Sequence, residues 1–527
     1  MSNMPATKST AAGATANVGR GIAVAALLIA LGNIASRVLG QARESVISNL
    51  FGLSVESGAF ALAARVPTTL YDLLVGGLVS AALVPVFSEL ADRDERELGR
   101  VAGTIFTLAT LLMIALAAIT WISAPLFGRL FDANIRAITV TLIRWMLPAT
   151  VFMALAGLMT GLLQARRRFL LPAFSTATFN LGIIIGGLAL TSALGVRGLA
   201  VGMSLGALGQ VLIQTPGLHG ARLRLGLDLR HPEVRRIGKL YLPVLLGLSF
   251  SLIGTAIDSV LVSPLNGGTA AAQQRYATTL IQLALGIVAT AISLAALPTL
   301  SRQGADPSDL REYRRTLALS IKALLLLLLP VTALLAALAF PISSLLFEFG
   351  QATPEDAAAI ATALLWYLPM LVAAGIDQPL IFAFYARRNT LLPNLVNGGA
   401  IAAYLVVALV TVRPLGVYGL ILGNVAQWWI HALLMLWFAH RRLDALRRQR
   451  LGEALVKGLS ASVAAGVSCF VLYQAFFSEL AQGKLGALAV ILGLGGVGLL
   501  IYLGIAYYLR IEALRVFASA LQRRRRR

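Results

Sequence analysis

One cysteine, Cys469, stands in 527 residues, which excludes an internal disulfide framework and any thiolate metal cluster. Histidine is nearly as rare. The four present, His219, His231, His431 and His440, are scattered near loops or span ends. They form no H-E-x-x-H or Ser-His-Asp order, and no phosphate-binding loop of the Walker type occurs. Hydrolytic and nucleotide-driven chemistry therefore have no candidate residues. Charge is scarce at 13% of residues, against roughly 25% in soluble proteins. Acid is scarcer still, with 23 Asp+Glu beside 44 Lys+Arg and a net charge of +21. A basic excess of this size fits either nucleic acid or the loops of a membrane protein, and its placement decides between them.

What is abundant is apolar surface, at 58% hydrophobic residues and a mean hydropathy of +0.81. A bilayer-crossing helix needs about 20 such residues. Fourteen stretches qualify, near 21–50, 57–89, 101–127, 137–164, 172–193, 198–217, 239–263, 275–301, 316–346, 356–385, 392–412, 415–439, 455–477 and 485–509. Little remains for an extramembrane domain. Residues 1–20 are small and polar and are expected to form a disordered tail. With both termini on the cytoplasmic side, 33 of the 44 basic residues fall on that side and six outside, with five inside spans. A missed or extra helix would invert every later loop, so the bias supports the count. It also assigns the positive charge to anionic lipid head groups rather than to nucleic acid.

The chain carries an internal repeat. Leu147-Pro148, Ala165-Arg166-Arg167, Leu170-Leu171-Pro172 and Gly198 with Gly202 recur 221 residues later as Leu368-Pro369, Ala386-Arg387-Arg388, Leu391-Leu392-Pro393 and Gly419 with Gly423. Six spans separate the copies, an even number, so both enter the membrane in the same sense. The predicted architecture is an all-α polytopic membrane protein of two parallel six-helix lobes, 21–217 and 239–440. The linker 218–238 joins them, and spans 13 and 14 with a basic tail fill 441–527. Duplicated lobes around a midplane site are the usual build of secondary transporters.

An ionisable side chain at membrane depth costs roughly 2.5–3.5 kcal/mol by insertion scales, so it must face a cavity or a partner. Span 1 contains Arg37, Arg43 and Glu44, and span 2 contains Arg65 and Asp72. Arg37 and Glu44, seven apart, nearly share a helix face. Three arginines against two acids predict a positive cavity in the first lobe, suited to phosphate or carboxylate because a guanidinium grips such groups with paired donors. Arg144 reads as a bundle partner or an anchor at the outer face. Asp258 in span 7 and Asp377 in span 10 are buried acids that fit either a cation or proton site or a hydrogen-bonded helix contact. The glycines of spans 5, 6, 12 and 14 are read as close-packing surfaces. Prolines within spans, Pro67, Pro148, Pro243, Pro298, Pro330 and Pro369, are read as kinks that shape a cavity.

The stretch Ser36-Arg37-Val38-Leu39-Gly40-Gln41-Ala42-Arg43-Glu44 with Leu50-Phe51-Gly52 resembles the opening signature of the MurJ (MviN) family of lipid II flippases, in the multidrug/oligosaccharidyl-lipid/polysaccharide exporter superfamily. Ala64-Arg65-Val66-Pro67, Leu83 to Glu89, Leu163 to Pro172 and Phe384 to Arg388 are similar to further motifs of that family. The resemblance implies a V of two lobes around a cationic cavity, a hydrophobic groove at spans 13 and 14 for lipid tails, and alternating access. Its cargo would be an undecaprenyl-linked peptidoglycan precursor, carried from the inner to the outer leaflet of the bacterial cytoplasmic membrane. It makes Arg37, Arg43 and Arg65 substrate-binding residues and Glu44 and Asp258 gating or ion-coupling residues. No cofactor is implied beyond coupling to the membrane potential or a monovalent cation. The protein is expected to act as a monomer, with cell-wall synthesis proteins as candidate associates. The chain departs from the family at Thr279 and Gln282, where an arginine and an acid are usual, and at Gly58, where many members carry an acid. Three alternatives stand beside this reading: a flippase for another polyprenyl-diphosphate oligosaccharide, a drug/cation antiporter, and a non-transporting scaffold.

Overall fold

A computed structural model describes residues 8–305, 310–387, 389, 391–443 and 449–514. Arg388, Arg447, Arg448, Arg515 and Arg523 to Arg527, counted above toward the cytoplasmic face, lie outside the described residues, as do residues 1–7 of the expected tail. Among the described residues the structure is helical without a strand. The first group is α1 (Lys8–Phe51), α2 (Val55–Ala63), α3 (Arg65–Tyr71), α4 (Val84–Arg93), α5 (Glu95–Gly128), α6 (Ala133–Ala165), α7 (Leu170–Leu194) and α8 (Arg197–Gln214). The second is α9 (Pro232–Val262), α10 (Ala270–Ala305), α11 (Leu310–Ala337), α12 (Ala339–Phe347), α13 (Pro354–Ala386), α14 (Leu391–Leu415) and α15 (Val417–Leu443). Two more helices follow, α16 (Leu451–Leu472) and α17 (Lys484–Tyr508). Because α1 already begins at Lys8, residues 8–20 are helical rather than irregular.

Eleven described helices are long and apolar enough to cross a membrane. The other three expected spans fall on α1, on the interrupted stretch 55–93, and on α9, whose described apolar run is Leu252–Val262. The interruption in 55–93 has a local cause. Pro67 cannot donate to the carbonyl four residues back and its ring crowds that turn, and α2 ends at Ala63, four residues before it. Beyond α3 the chain winds as two π-helical turns, Asp72–Gly76 and Val79–Leu83, before α4 resumes. Such turns are found at functional sites because the extra residue per turn breaks the regular ladder.

Within the first group α7 packs on α8 and α1, and α6 on α8 and α5. In the second, α14 packs on α15 and α13 on α10 and α15. Glycine sets the closest approach. A methyl group on Gly182 would stand 2.2 Å from the Gly206 Cα, and one on Gly186 would stand 2.2 Å from the Gly202 Cα, so α7 and α8 touch backbone to backbone. The internal repeat reappears here as geometry: Gly198 meets the backbone of Leu190 and Thr191, and Gly419 that of Thr411 and Val412, each residue 221 further on. Gly493, Gly495 and Gly496 of α17, by contrast, meet nothing within 4 Å. The expectation of close packing at those three is corrected, since they face outward. The C-terminal pair is fastened to α11, where Tyr502 donates to the Leu326 carbonyl at 2.7 Å and Lys322 pairs with Glu512 at 2.5 Å.

Overpacking a well-filled contact costs typically 1–3 kcal/mol. The Gly182→Ala/Gly186→Ala double variant should therefore lose thermal stability in detergent, while Gly495→Ala should match the parent. Equal melting of all three would refute the backbone contact.

Candidate functional site

Between the two helix groups lies a cavity of about 650 Å³. Arg37, Arg43, Arg65 and Asp258 line it, and so does Arg275 of α10. Arg275 is one of the six basic residues that the charge count puts outside, at the very edge of its span; it belongs instead to the cavity wall, because α10 begins at Ala270 and its second turn already faces inward.

Glu44 is completely buried beside this cavity. Arg43, its chain neighbour, donates to it from Nε at 2.8 Å and again from Nη2, and Arg275 donates across the interface at 2.8 and 3.0 Å. Arg43 also donates to the Asn180 side chain at 2.7 Å, whose amide in turn holds the Ser36 carbonyl at 3.0 Å. The Arg275 guanidinium lies 4.9 Å from the centre of the Phe60 ring, a cation–π contact with α2. Although Arg37 and Glu44 nearly share a helix face, they do not pair, and Glu44 takes Arg43 and Arg275 instead. Arg37 donates instead to Gln282 of α10 at 2.9 Å and forms no ion pair among the described residues.

Arg65, released from α2 by the break before Pro67, reaches Asp258 of α9 at 2.7 Å and Ser259 at 2.9 Å. Tyr404 of α14 donates to the other Asp258 oxygen. Asp258 is therefore paired, and acts as a bridge between the helix groups. Asp72, counted above against the arginines, does not line the cavity and lies exposed in the first π turn. Four guanidinium groups now face two carboxylates, a surplus of two positive charges with Arg37 the least compensated.

The family departures acquire physical reasons. Thr279 sits one helical turn after Arg275 and donates to its carbonyl at 2.9 Å. An arginine missing at 279 is present one turn earlier on the same face of α10. A methyl on Gly58 would stand 1.9 Å from the Gly268 carbonyl oxygen, so the two groups meet there too closely for any side chain.

Further ties flank the cavity. At the 48–53 corner Ser48 donates to the Phe347 carbonyl at 2.9 Å, Gln351 N–H to the Asn49 carbonyl at 2.9 Å, and Leu53 N–H to Asp356 at 3.2 Å. At the opposite end Arg236 grips both Glu89 oxygens at 2.7 and 3.0 Å, and Tyr241 donates to the Leu73 carbonyl. Arg144 of α6 partners α5 within the bundle, lying 5.5 Å from the Trp121 ring centre and donating to its carbonyl at 3.2 Å.

A further buried pair lies outside the main cavity. His431 is buried in the body of α15, and its Nδ1 lies 2.8 Å from Asp377 of α13. The clue available in the sequence was that both fall inside spans.

A polytopic membrane protein whose two helix groups meet around a charged cavity has the build of a secondary transporter rather than an enzyme. A sequence model of the lipid II flippase MurJ family matches residues 47–493, and the chain belongs to that family. It is 30% identical over 373 residues to the lipid II flippase MurJ of Burkholderia cenocepacia, covering 68% of this chain and 72% of that one. Against the probable lipid II flippase MurJ of Rhizobium meliloti it is 28% identical over 510 residues, with 93% and 94% covered. The fold matches that of a lipid II flippase MurJ in an inward closed conformation, with a TM-score of 0.77, 21% identity, and 92% of this chain and 99% of that one covered. A multidrug resistance MATE family transporter of the MOP superfamily aligns with a TM-score of 0.63, 17% identity, and 79% and 96% covered.

Removing one partner of a buried ion cluster strands the others and costs about 3–5 kcal/mol. Glu44→Ala should lower the melting temperature sharply, and Glu44→Ala with Arg275→Met should recover part of the loss. If the double variant is no better than the sum of the singles, Glu44 and Arg275 do not couple.

Proposed function

We propose that this protein moves a lipid-linked peptidoglycan precursor from the inner to the outer leaflet of the bacterial cytoplasmic membrane, with both termini in the cytoplasm. The single observation carrying this reading is the surplus of guanidinium over carboxylate in a cavity at the interface of two helix groups. A diphosphate is a compact dianion whose oxygens accept paired N–H donors, and it matches a two-charge surplus in sign and size. Arg37 is the residue assigned to grip it, because its donors are committed only to a neutral amide. Arg43, Arg65 and Arg275 border the anion and also hold α1 against α10 and α3 against α9. When the diphosphate arrives it competes with Glu44 and Asp258 for those guanidinium groups, so substrate binding loosens the bridges between the helix groups. In this reading Glu44 and Asp258 gate the cavity rather than load a cation.

The corner at 48–53 and the latch at Glu89–Arg236 lie at opposite ends of the cavity, on the outer and cytoplasmic sides by the charge bias. Alternating access requires them to open in turn. The π turns at 72–83 supply the bending point for span 2, since their backbone ladder is already broken. The membrane potential, negative inside, acts against outward movement of a positive site and in favour of outward movement of an anion. Cargo charge therefore sets the sign of the coupling. The protein acts as a monomer, with both helix groups of one chain completing the cavity. Antiport of a cationic drug is disfavoured because each cavity acid is engaged by arginine.

A charge-assisted contact is worth about 1.5–3 kcal/mol, or roughly ten- to a hundredfold in binding. In a bacterium depleted of its own flippase, Arg37→Ala should rescue growth poorly and Arg37→Ala/Arg65→Ala not at all, although both reach the membrane. Full rescue by the double variant would leave a scaffold role standing and exclude the cavity mechanism.

A further inference from the structure

A second polar cavity of about 220 Å³ lies wholly inside the second helix group, among α13, α14 and α15. At its wall His431 Nδ1 is 2.8 Å from the Asp377 carboxylate, and Nε2 is 3.3 Å from the Pro393 carbonyl oxygen. Both ring nitrogens thus face acceptors. A neutral imidazole beside an ionised Asp377 has one N–H for two acceptors, and its remaining lone pair then opposes an oxygen. Both contacts are satisfied only when the pair holds one more proton, either as imidazolium with carboxylate or as carboxylic acid donating to Nδ1 with Nε2–H on Pro393. With that proton the pair is neutral overall. Without it, one negative charge is left among three packed helices.

The surroundings isolate this proton. Among the described residues Tyr385 of α13 is the one other titratable side chain lining the cavity, Arg387 follows at the end of α13, and α14 and α15 contribute amides and Trp428. Packed on the other side of α13, α11 presents Tyr313, committed to the Ala383 carbonyl at 2.8 Å, and Lys322, committed to Glu512. No acid or base lies on α10 between Arg275 and Arg302, and α9 presents Asp258, already held by Arg65. Asp377 stands nine residues before the end of α13, about 13 Å at 1.5 Å per residue, and Pro393 lies in the first turn of α14. The cavity is therefore nearest the 386–391 connection. It shares Gln427 and Trp428 with a third cavity of about 290 Å³ that reaches Tyr404, Asp258 and Arg65.

We propose that Asp377 and His431 form a proton-binding site, loaded from the side of the 386–391 connection, whose occupancy is coupled to transport through the Gln427–Trp428 wall and the Arg65–Asp258 bridge. The proton joins α13, α14 and α15 at one point, and its loss leaves a charge that those helices must rearrange to solvate. The coupling rests on the transport reading above, whereas proton binding does not.

The test uses the full chain labelled at its histidine rings, four in all, with His431→Gln assigning the resonance. The His431 resonance should respond to pH as the ring gains or loses its proton, and Asp377→Asn should change that response. In liposomes with pH clamped on each side, the parent should flip a lipid-linked precursor at a rate that depends on pH at the 386–391 face. One linked proton gives up to about tenfold per pH unit. His431→Gln and Asp377→Asn should flatten that profile while retaining flipping at one plateau. A His431 resonance that stays fixed across the range, or one pH profile common to the parent and both variants, would overturn the proposal. A parent protein that flips no lipid defeats the transport reading, and the titration still decides proton binding.

Discussion

The Glu44 carboxylate, buried and clamped by Arg43 and Arg275, is the constraint on which the rest of the arrangement depends. A charge removed from water is tolerated only when paired and hydrogen-bonded. Here one carboxylate holds two guanidinium groups from different halves of the molecule. That fixes α1 against α10 and permits two arginines to remain beside a cavity at membrane depth. Because the cluster itself carries one excess positive charge, the cavity is cationic before Arg37 is counted. The same interaction that joins the two halves therefore sets the sign of what the cavity accepts.

Residues 55–93, where the expected second span is broken, supply Arg65 to that cavity and Glu89 to a latch beside it. A broken helix in a membrane survives only where other helices or a water-lined space satisfy its free backbone groups. Helices α5, α6, α9 and α10 pack against the broken stretch and provide that support. Pro67 links the two properties, since the break it imposes turns Arg65 toward Asp258 and the second helix group. Gly58 contributes the opposite device, an absent side chain that lets the Gly268 carbonyl approach α2 closely.

Much of the site was legible in the primary structure because a charge in an apolar run is an exception that needs a reason. Arg37, Arg43, Arg65, Glu44 and Asp258 were all found on that ground, and all five come together. Arg275 escaped it. It sits at the edge of an apolar run, where a loop charge and a cavity charge have the same local pattern, and only the start of α10 at Ala270 separates them. His431 and Asp377 were each visible within a span, but 54 residues part them, and no helical periodicity joins residues on different helices. The pairings were the least legible feature. Seven-residue spacing puts Arg37 and Glu44 on nearly one face, yet each finds a partner on α10.

By itself the sequence determined the solvent, the helical class, the repeat and the inventory of charges, because these follow from composition, period and loop chemistry, which are local. The tertiary structure decided which charges meet, that Asp258 is a bridge, that the second lobe supplies its arginine one turn early at Arg275, and that a separate Asp–His pair exists. Those outcomes depend on the packing of helices distant in the chain, and electrostatic pairing inside a membrane is decided over a few ångströms.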